Sequence, residues 1–393
     1  MITCGVCDGA DFAPFFRSRL WSSSGRYLDS VNEPYGSGPV TLITEYCRGC
    51  GLIRQPPGLE IQLDYTGIER DTAKQLPDYA QRIIASLAEL GVGPDDLVVE
   101  VGANDGTFLK AVRAAGYRNL VGVEPSKQLA TRASAAGLVL YNDYFGRDLA
   151  ADIVRQHGAA RAVVCRHTLE HVPDIRSLTQ GIADVLTANG VSFIEVPDTD
   201  WIVSDLFAHE VWDEHIAYFR AGSLARLMRN TGLTPIRMER VRFRDTRNLL
   251  CWSTRGPAKP GMTQDMVADA TSPSDLADFQ ARWDAFAARV RAAVAAAPKP
   301  LIAIGASHIQ LNFLNFVGLD AAVDLLIDDD PVKAGRFAPL ATAVPIRNTA
   351  SVVESVRAGT ILRTAFPYPA WEDRICEALA PYGIGSITPY DLR

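Results

Sequence analysis

Short apolar runs and amphipathic stretches take turns along most of this chain. Leu97-Val98-Val99-Glu100-Val101 is β-rich and apolar up to one acid, then passes through a Gly-containing turn into a helical pattern starting near Thr107. The same alternation predicts strands near 120–124, 138–141, 161–166 and 190–196, with helices starting near Ser126, Asp148 and Ile175. Strands interleaved with helices in this way build a parallel, doubly wound sheet. Asp245 to Thr254 reads as a final antiparallel strand. Residues 256–275, rich in Pro, Gly, Ser and Thr, read as linker. A helix over about Leu276–Ala296 follows. A second α/β unit then opens with a strand running into the Gly305-Ala306-Ser307 turn, with later strands at Val323–Ile327, Thr360–Thr364 and Gly385–Thr388. Asp328-Asp329-Asp330 either caps a helix at Pro331 or contacts a ligand. Near the start, Val40–Tyr46 reads as a strand and Tyr79–Leu90 as a helix.

Composition adds limits. The 393 residues leave room for two or three domains, and 48% hydrophobic with 22% charged residues is ordinary for a globular protein. A net charge of −7 points away from nucleic acid and anionic membranes. Apolar runs stay short of the ~20 residues that span a bilayer, and Met1-Ile2-Thr3-Cys4-Gly5 lacks the basic and apolar regions of a signal peptide. The expected location is cytoplasmic, where paired cysteines read as metal ligands before disulfides. Cys4-Gly5-Val6-Cys7 and Cys47-Arg48-Gly49-Cys50 offer four thiolates for a closed, structural Zn²⁺ site. The 39 residues between the pairs exceed common zinc modules, and a β-hairpin insertion would absorb them. Two unrelated reduced pairs, or a redox pair, are the alternatives. Cys165, Cys251 and Cys376 sit in apolar surroundings and read as core.

The turn after the first central strand carries the candidate chemistry. A dinucleotide site places glycines first, third and sixth so that backbone can approach a pyrophosphate. Counting from Gly102, the third position is Asn104 and the sixth Thr107; the other glycine is Gly106. Glu100 at the strand end would repel a pyrophosphate, which argues against a nicotinamide oxidoreductase. A cationic ligand without phosphate suits the turn, and S-adenosylmethionine (SAM) is one. Glu124, about 20 residues on, is placed to accept from ribose hydroxyls. The expected cofactor-binding set is Glu100, Gly102, Asn104, Asp105, Gly106, Glu124, Pro125, Asp143 (toward the adenine amine) and His167.

Four of the six histidines, His167, His171, His209 and His215, fall in loops after the fourth and fifth strands, where ligands of an α/β sheet sit. Histidine can take a proton near neutral pH, which transfer to a weak nucleophile requires. Glu214-His215 could supply a base and an orienting acid, although neighbours on a strand face opposite ways. His171 is equally readable as a loop residue bonding backbone. His167, Glu170 and His171 match an H-x-x-E-H zinc pattern, but Pro173 follows too closely for the helix that pattern needs.

Taken together, these segments resemble the NDP-sugar C-methyltransferases of deoxysugar pathways, three-domain enzymes with an N-terminal zinc-binding module. The resemblance rests on the paired cysteines, E-V-G-x-N-D-G at 100–106, V-G-V-E-P at 121–125 and L-E-H-V-P-D at 169–174. It continues through E-V-P at 195–197, E-H-x-x-Y-F at 214–219, G-A-S at 305–307 and I-D-x-x-P-x-K-x-G at 327–335. It implies an α/β fold with a zinc-binding module over 1–58, a helical connector over 59–94 and a Rossmann-like SAM-binding methyltransferase domain over 95–255. A linker and helix over 256–298 and a Rossmann-like substrate domain over 299–393 complete it. The implied reaction is base-assisted enolate formation on a nucleotide-linked keto-deoxysugar, then in-line methyl transfer. His215 would be the base, helped by Glu214, with His171 near the substrate oxygens and the C-terminal unit closing over the sugar nucleotide. The chain departs from the family at Trp212 (usually Tyr), Ile309 (often Lys) and Pro369 (usually His). An O- or N-methyltransferase is the alternative enzyme. A zinc module on a degenerate SAM-sensing domain is a further one, against which Glu100, Gly102, Gly106 and Glu124 stand intact. The expected state is a monomer or weak homodimer.

Overall fold

The computed structural model describes residues 3–21, 27–33, 39–58, 80–243, 246–257, 265–363 and 369–393. The expected connector over 59–79, Tyr79 of the expected helix, Asp245, linker residues 258–264, Thr364 and Pro367-Tyr368 lie outside them.

β1 (Phe12–Leu20) and β2 (Val40–Cys47) pair antiparallel, and the short β3 (Ile53–Arg54) pairs with β2. α1 (Ala80–Glu89) then buries Ile83, Ile84 and Leu87 on one face. The central unit follows: β4 (Val98–Val101), α2 (Thr107–Ala114), β5 (Leu120–Val123), α3 (Lys127–Ala135), β6 (Val139–Tyr141), α4 (Arg147–His157), β7 (Ala160–Arg166), α5 (Ile175–Val185) and β8 (Leu186–Pro197). β4 to β8 are mutually parallel, as the alternation predicts. Every residue of β4 is buried, which is why it reads as a continuous apolar run broken only by Glu100. Helix starts are set locally: Ser126 caps α3 at the Leu129 N–H, and Asp174 caps α5 at the Ser177 N–H.

α6 (Thr199–Ser204), β9 (Ala217–Tyr218) and α7 (Ala221–Asn230) lead to β10 (Leu233–Phe243), β11 (Thr246–Arg255) and β12 (Asp265–Met266). Among the described residues the central sheet runs β12-β10-β11-β8-β7-β4-β5-β6. The expected antiparallel strand is β11, wedged between β8 and β10. β10 itself is an addition to the expectation. Pro235 interrupts its register and Arg237, Glu239, Arg240 and Arg242 mask its alternation. The Arg237 guanidinium lies 3.8 Å over the Trp252 ring, so this charge covers apolar surface instead of avoiding it.

α8 (Pro273–Ala295) starts at a Ser272/Asp275 capping box with Pro273 in its first turn. β13 (Leu301–Ile304), α9 (His308–Val317), β14 (Leu325–Ile327), β15 (Phe337–Pro339), β16 (Ala343–Arg347), α10 (Thr349–Ser355), β17 (Thr360–Leu362), α11 (Pro369–Leu379) and β18 (Gly385–Ile387) complete the second α/β unit. Its strand order, among the described residues, is β15-β16-β14-β13-β17-β18, with antiparallel β15 at one edge. Turns occupy the position after Pro331 where a helix was one expectation. The acids bind backbone and side chains: Asp328 accepts from Ala306 N at 2.9 Å and pairs with Lys333, Asp330 accepts from Val332 N at 2.9 Å, and Asp329 accepts from Thr349 N at 2.7 Å in the first turn of α10 and from Trp371 Nε1 at 2.9 Å.

Two contacts tie the ends of the chain to its centre. β9 pairs with β3, so the N-terminal sheet runs β1-β2-β3-β9 among the described residues. On the other side Phe15 stacks on Phe279 of α8 with centroids 4.5 Å apart, and Phe16 meets the Trp283 edge at 6.1 Å. No helix of the described residues is long and apolar enough to cross a membrane.

Candidate active site

A cavity of about 680 Å³ opens at the carboxyl ends of β4, β5, β7 and β8. The turn after β4 forms one wall. Gly102 has φ +75°, and a Cβ there would lie 2.0 Å from Thr168 Oγ1, so only glycine fits. Asn104 also takes a positive φ, of 51°. Its N–H donates to Glu124 Oε2 at 2.8 Å, and the Ser126 N–H to Glu124 Oε1 at 2.9 Å. Burial still pushes the Glu124 carboxyl up against those bonds. Glu100 is 3% exposed, and its Oε2 makes no hydrogen bond among the described residues. Burial, with Glu124 and Asp105 nearby, pushes it up to about 8 against the pull of Arg166. An orphaned buried carboxyl on a phosphate-free turn fits a cationic ligand such as SAM and disfavours a pyrophosphate.

Of the expected cofactor residues, Glu100, Gly102, Asn104, Asp105, Glu124, Pro125, Asp143 and His167 line the cavity. Gly106 is set behind the wall as the left-handed cap of α2, where a Cβ would strike Leu138 at 2.4 Å. Asp143 is exposed, with Oδ1 accepting from Tyr144 N at 2.7 Å.

His167 bridges carboxylates. Its Nε2 lies 3.1 Å from Glu195 Oε1 and its Nδ1 3.4 Å from Glu170 Oε1, held there by a backbone at φ 46°. Burial opposes a charge on the ring, but Glu195 and Glu170 overcome it and push the imidazole up to about 10. The two carboxylates thus favour the protonated form of the His167 ring, whose side chain is 44% exposed on the cavity wall.

His171 ends a single 3-10 turn over Leu169–His171, too short for the zinc pattern, as the nearby Pro173 predicts. Its Nδ1 lies 2.9 Å from the Glu214 carbonyl oxygen. A carbonyl only accepts, so Nδ1 carries the hydrogen in this bond. This is the backbone bond expected of a loop histidine, made at the cavity wall. The His171 and His215 rings meet at 4.8 Å and 76°. His215 stands in a turn, not on a strand. Glu214 is 2% exposed and lines the cavity beside both rings.

Four residues in or behind this wall were not among the expected site residues. Gln55, 1% exposed just after β3, donates from Nε2 to the Asp213 and His215 carbonyls at 2.8 and 3.0 Å. Tyr218 Oη accepts from Trp212 N at 2.7 Å and donates to Trp212 O at 2.8 Å. His308, from the second α/β unit, stacks on Trp212 at 4.2 Å and 15°, and both line the cavity with Ile309. Glu170 lay inside the L-E-H-V-P-D segment, but nothing local marked its partners.

The four N-terminal thiols converge. Cys4 Sγ and Cys50 Sγ are 3.6 Å apart, Cys7 Sγ and Cys47 Sγ 3.5 Å, and all four sulfurs lie within 4.8 Å of one another. A tetrahedral zinc with bonds of about 2.3 Å needs sulfurs roughly 3.8 Å apart, so the set fits. Cys4 is pulled down to about 5, chiefly by the bond from Cys50, while Cys50 and Cys47 are pushed up.

Residues 72–237 match the family model of a methyltransferase domain. This chain carries a methyltransferase domain. C-methyltransferase NovU of Streptomyces niveus is 29% identical over 233 residues, 58% of this chain and 54% of that protein. The chain thus spans about half the length of the curated relative it matches. Among solved structures, magnesium protoporphyrin IX methyltransferase from Synechocystis PCC 6803 with bound SAM covers 45% of this chain and 78% of its own at 14% identity and TM-score 0.35. The 1,6-didemethyltoxoflavin-N1-methyltransferase of Burkholderia thailandensis covers 45% and 79% at 18% identity and TM-score 0.35. The methyltransferase domain contains the Gly102 turn, Glu124, His171 and His215.

Proposed function

We propose that this protein is a SAM-dependent C-methyltransferase acting on a nucleotide-linked keto-deoxysugar. The observation that carries the proposal is the pairing of His171 and His215, 4.8 Å apart, on the wall of the cavity that also holds the Gly102 turn. Bound SAM supplies the methyl electrophile. Glu100 and Glu124 then offer carboxyl oxygens to its charged end and its ribose. His215 takes the proton α to the acceptor ketone, and His171, fixed by the Glu214 carbonyl, presents Nε2 toward the developing oxyanion when protonated. Trp212 and His308 exclude water on the side of the second α/β unit. Cys4, Cys7, Cys47 and Cys50 hold a structural zinc ion.

The test is hydrogen exchange. Purified protein should exchange the substrate α-proton with deuterated water even without SAM, and should release S-adenosylhomocysteine (SAH) only when a keto-sugar nucleotide is present. Methyl found on oxygen or nitrogen, with no exchange, would refute C-methylation. Trp212 supports that second reading, an O- or N-methyltransferase, because an indole offers no phenol to assist enolisation.

A further inference from the structure

We infer that Glu170 is the positioning carboxylate of the base: it orients His215 and stabilises the imidazolium formed on proton abstraction. The inference rests on the base role proposed for His215. A Glu170 carboxylate oxygen, a His171 nitrogen and a His215 nitrogen all lie within 4.8 Å of one another. Glu170 is 1% exposed, and its Oε2 makes no hydrogen bond among the described residues. Its Oε1 faces His167 Nδ1 at 3.4 Å. Oε1 likewise makes no hydrogen bond among the described residues beyond this approach of His167, and a buried carboxylate so little committed is matched to a charge that arises only during the reaction.

Glu214, the sequence neighbour of His215, offers a different contact: its backbone carbonyl holds His171. Glu170 reaches the histidine pair from the loop after β7, and the Ile216 N–H donating to Glu170 O at 2.7 Å ties the two loops in register. Among the described residues the titratable groups near the pair include Cys165 and His167 at the end of β7, Glu210, Asp213 and Glu214 before His215, Tyr218 from β9 and His308 from α9. Tyr218 is pushed well above its usual value by burial, and Cys165 likewise up, to beyond the neutral range, so neither competes for the proton.

The balance needs only the SAM of the proposed reaction as methyl donor, and the proton taken by His215 passes to solvent before the next turnover. The α C–H bond breaks, its proton goes to a His215 nitrogen and its electron pair to the enolate. The enolate carbon bonds the methyl as the sulfur–methyl bond breaks, leaving the sulfur neutral. Glu170 takes no part in the bond changes and acts on His215 by position, in the manner of the acid behind a catalytic histidine. A Glu-His-His set is also a metal-ligand pattern. Here Glu170 Oε1 already faces His167 Nδ1 at 3.4 Å, so a metal would have to share that carboxylate with a ring nitrogen.

The decisive measurement is an NMR titration of the His171 and His215 rings in the SAH-bound protein, assigned with His171→Asn and His215→Asn. Glu170→Gln should lower the proton affinity of His215 about tenfold or more and shift the acidic limb of the turnover profile down with it, while SAH affinity holds. Glu170→Asp should give a smaller change and covers the case in which the glutamine variant does not fold. An unchanged His215 titration in a folded Glu170 variant overturns the inference. So does a second divalent ion per chain, beyond the thiolate metal, that the Glu170 variants lose. Neither outcome depends on the acceptor. Turnover that survives in His215→Asn would instead overturn the proposed base.

Discussion

Glu100 shows how much one side chain can say. It interrupts an otherwise apolar, fully buried strand, and burial pushes its carboxyl up to about 8. Without ligand the group is mostly protonated at neutral pH. Its folded-state value lies above the unfolded 4.5, so its favourable contribution to stability is complete below about pH 4.5 and is lost as pH rises through about 8. A cationic ligand reverses the preference, because the carboxylate then has a partner. SAM should bind with release of a proton, its affinity rising up to about tenfold per pH unit until pH passes about 8. Calorimetry in two buffers of different ionisation enthalpy reads that proton. Glu100→Gln should erase the difference, and a pH-independent affinity in the unmodified protein would contradict this account. Glu100 and Glu124 were legible beforehand because each depends on its own strand and the turn beside it. The bridging state of His167 was not, since Glu195 reaches it from the neighbouring strand.

At the scale of elements, the short pairing of β3 with β9 has consequences beyond its length. It brings Gln55 against the loop that carries His215, where one amide holds two carbonyls, and the Gln55 N–H donates to Ile216 O at 2.9 Å. Gln55→Ala removes both bonds that its amide gives to the buried Asp213 and His215 carbonyls, at a cost of about 1–3 kcal/mol. The loop should loosen while the Gly102 turn, on another element, is untouched. Methyl transfer should fall roughly ten- to a hundredfold, with SAM affinity held within about twofold. Turnover rates and ligand titration on one preparation separate the two, and an equal loss of both would count against a role confined to the loop. No periodicity could have announced Gln55, because a two-residue strand is too short to carry one.

For the whole molecule, the first 58 residues are a bridge. Their thiols gather at one end of the sheet, β3 supports the His215 loop, and the β1 aromatics pack on α8. A metal at the four thiols would set the geometry of all three regions at once. Metal analysis should find about one zinc per chain. Paired Cys4→Ser and Cys50→Ser substitution should remove it, lower the thermal midpoint and reduce methyl transfer together. Full activity in a metal-free protein would show that the N-terminal sheet holds the loop unaided. The stack of Trp212 on His308 joins the second α/β unit to the same wall, so three parts of the chain meet at one cavity.

The sequence by itself determined the parallel strands β4 to β8, the opening of the second α/β unit, the phosphate-free turn and the cysteine pairs. Each follows from residues within a few positions of one another, through apolar runs, glycine geometry and spaced ligands. Tertiary structure decided what stands beside them. It inserted β11 between β8 and β10, drew β9 into the N-terminal sheet, set Gln55 under the His215 loop and turned Glu170 toward the histidines. Those choices depend on burial and pairing between segments that can lie 160 and more positions apart. Such partners leave no local pattern, because the contact that satisfies them exists only once the chain has folded.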